Sequence, residues 1–197
     1  TCFFYKLHIT LVNFKLRHIC VFSIKKLMKS KGNIVFLGMM GSGKTSIGKL
    51  FSQKHKFKFY DTDKFIENNL GMQISKIFTI KGEAFFRSFE EKITLDILKK
   101  KNIVIALGGG SFLNKKIQKE VLKNHTSFWL NWDKTTIINR IKSSAKRPVA
   151  YKATPYELNN LIKKRSNIYA KALYKVDCDG LSKLEIVKKV FNLYETN

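Results

Sequence analysis

An apolar run that ends in glycines and restarts as a helix constrains this chain more than any other feature. It reads NIVFLGMMGSGKTSIGK, residues 33–49. Gly38-Met39-Met40-Gly41-Ser42-Gly43-Lys44-Thr45 matches G-x-x-x-x-G-K-[ST] in full, with a strand-like run before it and helical spacing after it. The glycines let backbone N–H groups approach phosphate oxygens, and the helix N-terminus adds partial positive charge. Lys44 has the reach for β- and γ-phosphates, and the Thr45 hydroxyl suits Mg²⁺. Gly41, Ser42, Gly43 and Ser46 complete the candidate nucleotide contacts. This implies ATP or GTP and leaves the reaction open.

Five short strand-like runs follow one another: residues 33–38, 57–63, 102–108, 126–132 and 174–179. Helical spacing lies between them, over 44–55, 84–100, 114–123, 134–142, 156–173 and 182–194. The stripe on the second of these is Phe85, Phe89, Ile93, Ile97 and Lys100, with a polar back. Alternation of this kind predicts an α/β fold, a parallel sheet covered by helices on both faces. Ligands of such folds sit at the carboxyl ends of the strands, where every motif singled out here falls. Pro148 and Pro155 bracket RPVAYKATP, which lacks periodicity. Thr154, Pro155 and Glu157 then read as N-cap, N1 and N3 of a capping box. Residues 143–154 are therefore an expected exposed loop and candidate mobile lid, with Arg147 inside it.

FKFYDTDKFIE supplies Asp61 and Asp63. Read as strand positions i and i+2, the two carboxylates share a face and emerge together beside the phosphate loop. One would approach Mg²⁺ and the other accept a hydroxyl proton. Such acids could instead supply an N-cap for KFIENNL. Arg87 in GEAFFRSFEEK has Glu90 and Glu91 at pairing distance along a helix. Gly108, Gly109 and Gly110 close the third strand-like run and allow a ligand to approach the backbone, although a plain tight turn would also use them. The chain prefers Lys to Arg, so Arg87, Arg147 and Arg165 suggest bidentate grip on a carboxylate or phosphate.

These motifs, in this order, resemble the shikimate kinase family. The likeness runs over about residues 28–195, through GMMGSGKTSIGK, FYDTDKFIE, FTIKGEAFFR, ALGGG, RP and RSNIY. The resemblance implies a three-layer α/β/α phosphate-loop fold with a five-stranded parallel sheet and a mobile lid. It implies phosphorylation of the shikimate 3-hydroxyl by ATP with Mg²⁺, on the route to aromatic amino acids. By position it implies Asp63 as base and hydroxyl ligand, and Arg87 and Arg165 on the carboxylate. It puts the backbone of Gly108, Gly109 and Gly110 against the ring, and Phe78 and Phe86 as pocket wall. Thr45 and Asp61 would serve Mg²⁺, Lys44 and Arg147 the transferred phosphate, and Arg140 the adenine. Asn167 stands where the family usually has Pro, the lid reads RPVAY, and DCDGLSK is less basic than many members.

The charge balance, 38 Lys+Arg against 14 Asp+Glu for +24, would also suit a nucleic-acid binder. The charges are scattered and no reading motif occurs, so no nucleic-acid partner is expected. A gluconate-kinase-like enzyme or a non-catalytic nucleotide switch would also contain a phosphate loop. Neither accounts for the whole set of arginines and triple glycine. Cys2, Cys20 and Cys178 have no metal or disulfide spacing, which fits a reducing, cytoplasmic setting. Residues 1–27 hold five Lys/Arg and no acid, and no run in them is long enough for a membrane helix. The expectation is that Met28 is the natural start, with 1–27 a poorly ordered extension or upstream read-through. Residues 28–197 would form one domain, a monomer with no membrane partner.

Overall fold

The computed structural model describes residues 32–143 and 153–196. The expectations for residues 1–27, for Met28 and for the lid with Arg147 lie outside these residues.

The elements in chain order are β1 (Ile34–Leu37), α1 (Lys44–His55), β2 (Lys58–Asp61), α2 (Thr62–Leu70), α3 (Ile74–Leu98), β3 (Ile103–Ala106), α4 (Lys115–Asn124), β4 (Thr126–Asn131), α5 (Lys134–Lys142), α6 (Pro155–Tyr169), β5 (Tyr174–Asp177) and α7 (Lys183–Glu195). A short 3-10 turn, Ser111–Leu113, follows β3. The five strands form one sheet in the order β2-β3-β1-β4-β5. Every pairing is parallel, so all five carboxyl ends point the same way.

The central strands β1 (IVFL) and β3 (IVIA) are buried at every residue, as continuous apolar runs must be when helices cover both faces. Alternation divides their side chains. Val35, Leu37, Ile105, Leu107 and Trp129 pack with Ile97, Ile117, Val121, Ile141, Ile162 and Tyr169 from α3 to α6. Ile34, Phe36, Val104, Phe128 and Val176 pack on the other face with Ile47 and Phe51 of α1 and Ile186, Val187 and Val190 of α7. The edge strands, KFYD and YKVD, keep exposed lysines, which discourages further strand pairing. A third cluster, Ile66, Ile77 and Phe86, lies apart and joins α2 to α3.

Two helices differ in extent from the expected elements. Helix α3 starts ten residues before the predicted 84, with a kink at Gly82 (φ 79°). Its buried line is Phe86, Glu90, Thr94 and Ile97, one residue off the Phe85–Phe89 stripe, because a carboxylate and a threonine occupy the inward face. Of the expected stripe Ile97 is buried, Phe89 and Ile93 are half-buried against the Ile66–Ile77–Phe86 cluster, and Phe85 is exposed and stacks on Phe89. Helix α6 stops at Tyr169, short of the predicted 173, because the chain must turn into β5. Its capping box forms as expected: Thr154 Oγ1 accepts Glu157 N–H, and Glu157 accepts Thr154 N–H.

Candidate active site

The phosphate loop leaves β1 and enters α1 through Gly43, whose φ of 87° suits glycine. Lys44 is 9 % exposed and folds back on the loop, donating from Nζ to Gly38 O (2.8 Å) and Met39 O (2.9 Å). Ser42 N–H donates to Met39 O at 3.1 Å, closing the turn, while the buried Ser42 hydroxyl has no hydrogen-bond partner among the described residues. Thr45 and Ser46 stand in the first turn of α1, half-buried and exposed respectively.

Asp61 ends β2 and caps α2: its Oδ1 accepts Lys64 N–H at 3.1 Å. Its Oδ2 accepts the Thr45 hydroxyl at 2.5 Å. One carboxylate thus serves both as helix cap and as neighbour of the phosphate loop. Asp63 does not follow it along a strand as expected. The cap turns the chain into α2 at Thr62, so Asp63 stands in the first helical turn and faces a different partner. That partner is Gly108, where an added Cβ would run into Asp63 Oδ1. Thr62, fully buried between them, accepts the Gly108 N–H at 2.8 Å and donates to Ala106 O at 3.3 Å.

Gly109 and Gly110 receive the two arginines. An added Cβ at Gly110 would lie 2.8 Å from Arg87 Nη1. One at Gly109 would lie 3.3 Å from Met40 N of the phosphate loop and 3.7 Å from Arg165 Nη1. Arg165 Nη1 donates to Gly109 O at 3.2 Å, while its buried Nε has no partner among the described residues. The triple glycine therefore draws Asp63, Arg87, Arg165 and the phosphate loop to one place, at the carboxyl end of β3.

Arg87 is held by its own helix, donating Nε–H to Glu83 (3.2 Å) and Nη1–H to Glu90 (2.8 Å). Burial works against its charge, yet the hydrogen bonds and charges of Glu90 and Glu83 keep its pKa above the usual value. A guanidinium carries five N–H donors, so this grip leaves others for a ligand. Its flat face lies over Phe86 and Phe78, 5.1 and 5.7 Å from the ring centres. Those two rings are 4.6 Å apart and form a wall beside it. Glu91 turns away to Lys116 and Asn114.

Arg140, on α5, meets the phosphate loop at Gly41. Its guanidinium lies 3.7 Å over the Trp132 ring, and Nη1 reaches Gly41 O at 3.5 Å.

Sequence motifs miss three residues of the site, Tyr169, Thr62 and Trp132, and the burial of a fourth, Glu90, whose pairing with Arg87 the helical spacing anticipates. Glu90, 3 % exposed, accepts from Ser111 Oγ (2.6 Å) as well as from Arg87. Its spacing from Arg87 predicts the pair, and the line Phe86–Glu90–Thr94, four residues each way, puts it on the buried helical face. Tyr169, one turn after Arg165, donates its hydroxyl to Gly109 O at 2.5 Å. Burial pushes its pKa up to about 12, against the opposite pull of Arg165. Thr62 and Trp132 carry no signal beyond their places at strand ends.

The metal-binding expectation fits the donors present. Thr45 and Asp61 offer hard oxygen ligands beside the phosphate loop. No cluster of three or more His, Cys, Asp or Glu side chains suited to a metal occurs among the described residues. A site with few protein ligands, completed by nucleotide phosphates and water, is the ordinary situation for Mg²⁺.

Comparison with known proteins gives the family and the fold. The family model described as shikimate kinase matches residues 40–195. The shikimate kinase of Thermodesulfovibrio yellowstonii is 40% identical over 164 residues, covering 83% of this chain and 95% of that protein. The solved shikimate kinase of Acinetobacter baumannii, in complex with shikimate, superposes with a TM-score of 0.81 at 26% identity, covering 87% of this chain and 97% of that one. A gluconokinase from Sinorhizobium meliloti, at 16% identity and a TM-score of 0.53, shares the fold alone.

Proposed function

The chain belongs to the shikimate kinase family, and on that premise we propose that it transfers the γ-phosphoryl group of ATP to the 3-hydroxyl of shikimate. The products are 3-phosphoshikimate and ADP, and the reaction serves aromatic amino acid biosynthesis. The observation that carries the reading is the triple glycine, against which lie Asp63 at Gly108, Arg165 and Met40 of the phosphate loop at Gly109, and Arg87 at Gly110. A small polyhydroxy carboxylate matches that set: two guanidinium groups for its acid, one carboxylate for its hydroxyls.

In the reaction, Arg87 and Arg165 clamp the shikimate carboxylate. Backbone at Gly108 to Gly110 approaches the ring without side-chain interference. Phe78 and Phe86 wall the pocket. Asp63 accepts the hydroxyl proton as the oxygen bonds to the γ-phosphorus and the β–γ bridge bond breaks. Lys44 exchanges its loop carbonyls for phosphate oxygens and neutralises charge on the transferred group. Gly41, Ser42, Gly43, Thr45 and Ser46 complete the ATP cradle, and Arg140 lies on its nucleobase side. Thr45 and Asp61 would hold Mg²⁺, which supplies electrostatic stabilisation of the phosphates when bound. Arg147, in the proposed lid, closes over the phosphates. Catalysis is then chiefly positioning and charge neutralisation.

No helix among the described residues is long and apolar enough to cross a membrane. The proposal includes a cytoplasmic monomer without nucleic-acid or membrane partner, formed by residues 28–197. The test is coupled ADP release from Mg·ATP with shikimate, gluconate or no acceptor. Shikimate-dependent release is the expected result; stimulation by gluconate, or release indifferent to acceptor, would overturn the reading.

A further inference from the structure

We propose that Trp132 is a positioning residue of the nucleotide site, holding two successive carbonyls of the phosphate loop, Ser42 directly and Gly41 through Arg140. The inference rests on the phosphate loop as the ATP site and is independent of the acceptor.

Trp132 follows β4 directly, level with the loop that follows β1, because β1 and β4 pair in parallel up to Leu37 and Trp129. Its indole Nε1–H donates to Ser42 O at 2.9 Å. Its ring carries the Arg140 guanidinium at 3.7 Å, and Arg140 Nη1 reaches Gly41 O at 3.5 Å. The two contacts share one scaffold. Asp133, the next residue, caps α5 by accepting Thr135 N–H (2.7 Å) and Thr136 N–H (3.2 Å), and its own N–H donates to Asp179 at 2.8 Å. The backbone at Trp132 is thus tied to the start of the helix that bears Arg140, and ring and guanidinium approach each other from one rigid corner.

The consequence for the loop follows from the peptide plane. In a trans peptide the C=O and the following N–H point in opposite directions. Fixing Ser42 O toward the indole therefore turns the Gly43 N–H away from it. Gly43, with φ of 87°, lacks a side chain to set this orientation. The Ser42 hydroxyl, buried and without a hydrogen-bond partner among the described residues, does not set it either. Trp132 supplies the missing constraint from outside the loop. A guanidinium stacked on an indole is restrained without losing its N–H donors, which lie in its own plane. Arg140 thus stays available to the nucleotide while held near it.

The test uses the full chain and two variants. Trp132→Phe keeps a ring face for Arg140 but loses the N–H; Trp132→Leu loses both. Calorimetric titrations with ADP and, separately, with shikimate give the affinities. ADP binding is expected to weaken about two- to fivefold in Trp132→Phe and about tenfold or more in Trp132→Leu. Shikimate affinity is expected to be unchanged. ADP should also change the tryptophan emission of the wild-type chain, and this change should vanish in Trp132→Phe, which retains Trp129. ADP affinity equal in all three chains would overturn the proposal. So would ADP and shikimate affinities falling together with the melting temperature, which would mean general loosening. If Trp132→Leu does not fold, Trp132→Phe decides alone. Because ADP is the probe, a chain that binds ADP as expected but ignores shikimate would contradict the acceptor assignment and leave this inference standing.

Discussion

Glu90 is buried beneath the site with one carboxylate oxygen on Arg87 (2.8 Å) and the other on Ser111 (2.6 Å). The guanidinium assigned to the substrate carboxylate is thereby fixed to the turn that follows the triple glycine. Glu90→Gln weakens the charge-assisted hydrogen bond to Arg87 with little change in shape. We expect KM for shikimate to rise about tenfold, as for other charge-assisted hydrogen bonds of partly buried groups, with KM for ATP unchanged. Steady-state kinetics with each substrate varied in turn checks this; two unchanged KM values would show Glu90 to be ordinary packing.

Gly108→Ala tests close approach at the acceptor side. The backbone at Gly108 is not left-handed, so alanine is not strained there, but its Cβ would meet Asp63 Oδ1 and stand 2.8 Å from Ser111 Oγ. Displacing the base by even a fraction of its reach should lower kcat/KM about 100-fold. Circular dichroism should remain that of the wild-type chain. Activity within a factor of a few of wild type would mean that Asp63 has room to retreat without cost.

Tyr169→Phe removes one hydroxyl from a buried corner. Among the described residues Gly109 O would then retain Arg165 alone, at 3.2 Å. The loss of a hydrogen bond of this kind costs about 1 kcal/mol, or a melting temperature lower by about 2–4 °C for a chain of this size. Shikimate KM should rise with it, since Arg165 and the glycines share that carbonyl. Thermal melts and acceptor titrations report the two effects separately; a lower melting temperature with unaltered KM would confine Tyr169 to stability.

His55 makes the fold sensitive to acid. It stacks on Phe191 at 4.0 Å, and burial, with Lys54 nearby, lowers its pKa from 6.5 to about 4. The unfolded chain takes up a proton below about 6.5, while the folded chain resists until about 4. Stability should therefore fall as pH drops through that window. His55→Phe, which keeps the stacking, should flatten the decline in melting temperature between pH 6.5 and about 4. Burial lowers the pKa of His125 as well, so part of the slope should persist. A slope identical to wild type would exclude His55 as its source.

What could be read in the chain follows from how local each signal is. The phosphate loop, the strands and the Thr154 capping box are set by neighbours in sequence, and they stand as expected. Strand periodicity misplaces Asp63 because it runs on past Asp61, a residue that caps a helix. The same carboxylate could cap and meet Thr45, and only packing shows that it does both. The pairing of Glu90 with Arg87 is legible from their spacing, but its burial is not: apolar periodicity counts a carboxylate as solvent-facing, and its second partner, Ser111, is 21 residues away. Tyr169 and Trp132 act on backbone carbonyls 60 and 90 residues distant, contacts that leave no mark in local pattern.

Asp63, at the triple glycine, is the proposed base of an acceptor site separate from the ATP site, and the mechanism stands or falls with it. Asp63→Asn measures this most directly, with shikimate-dependent ADP release and ADP affinity determined on the same preparation. Turnover is predicted to fall by a factor of about 10²–10⁴, the usual contribution of a general base, while ADP binds as tightly as before. Turnover that survives the substitution, or ADP affinity that falls with it, would contradict that assignment.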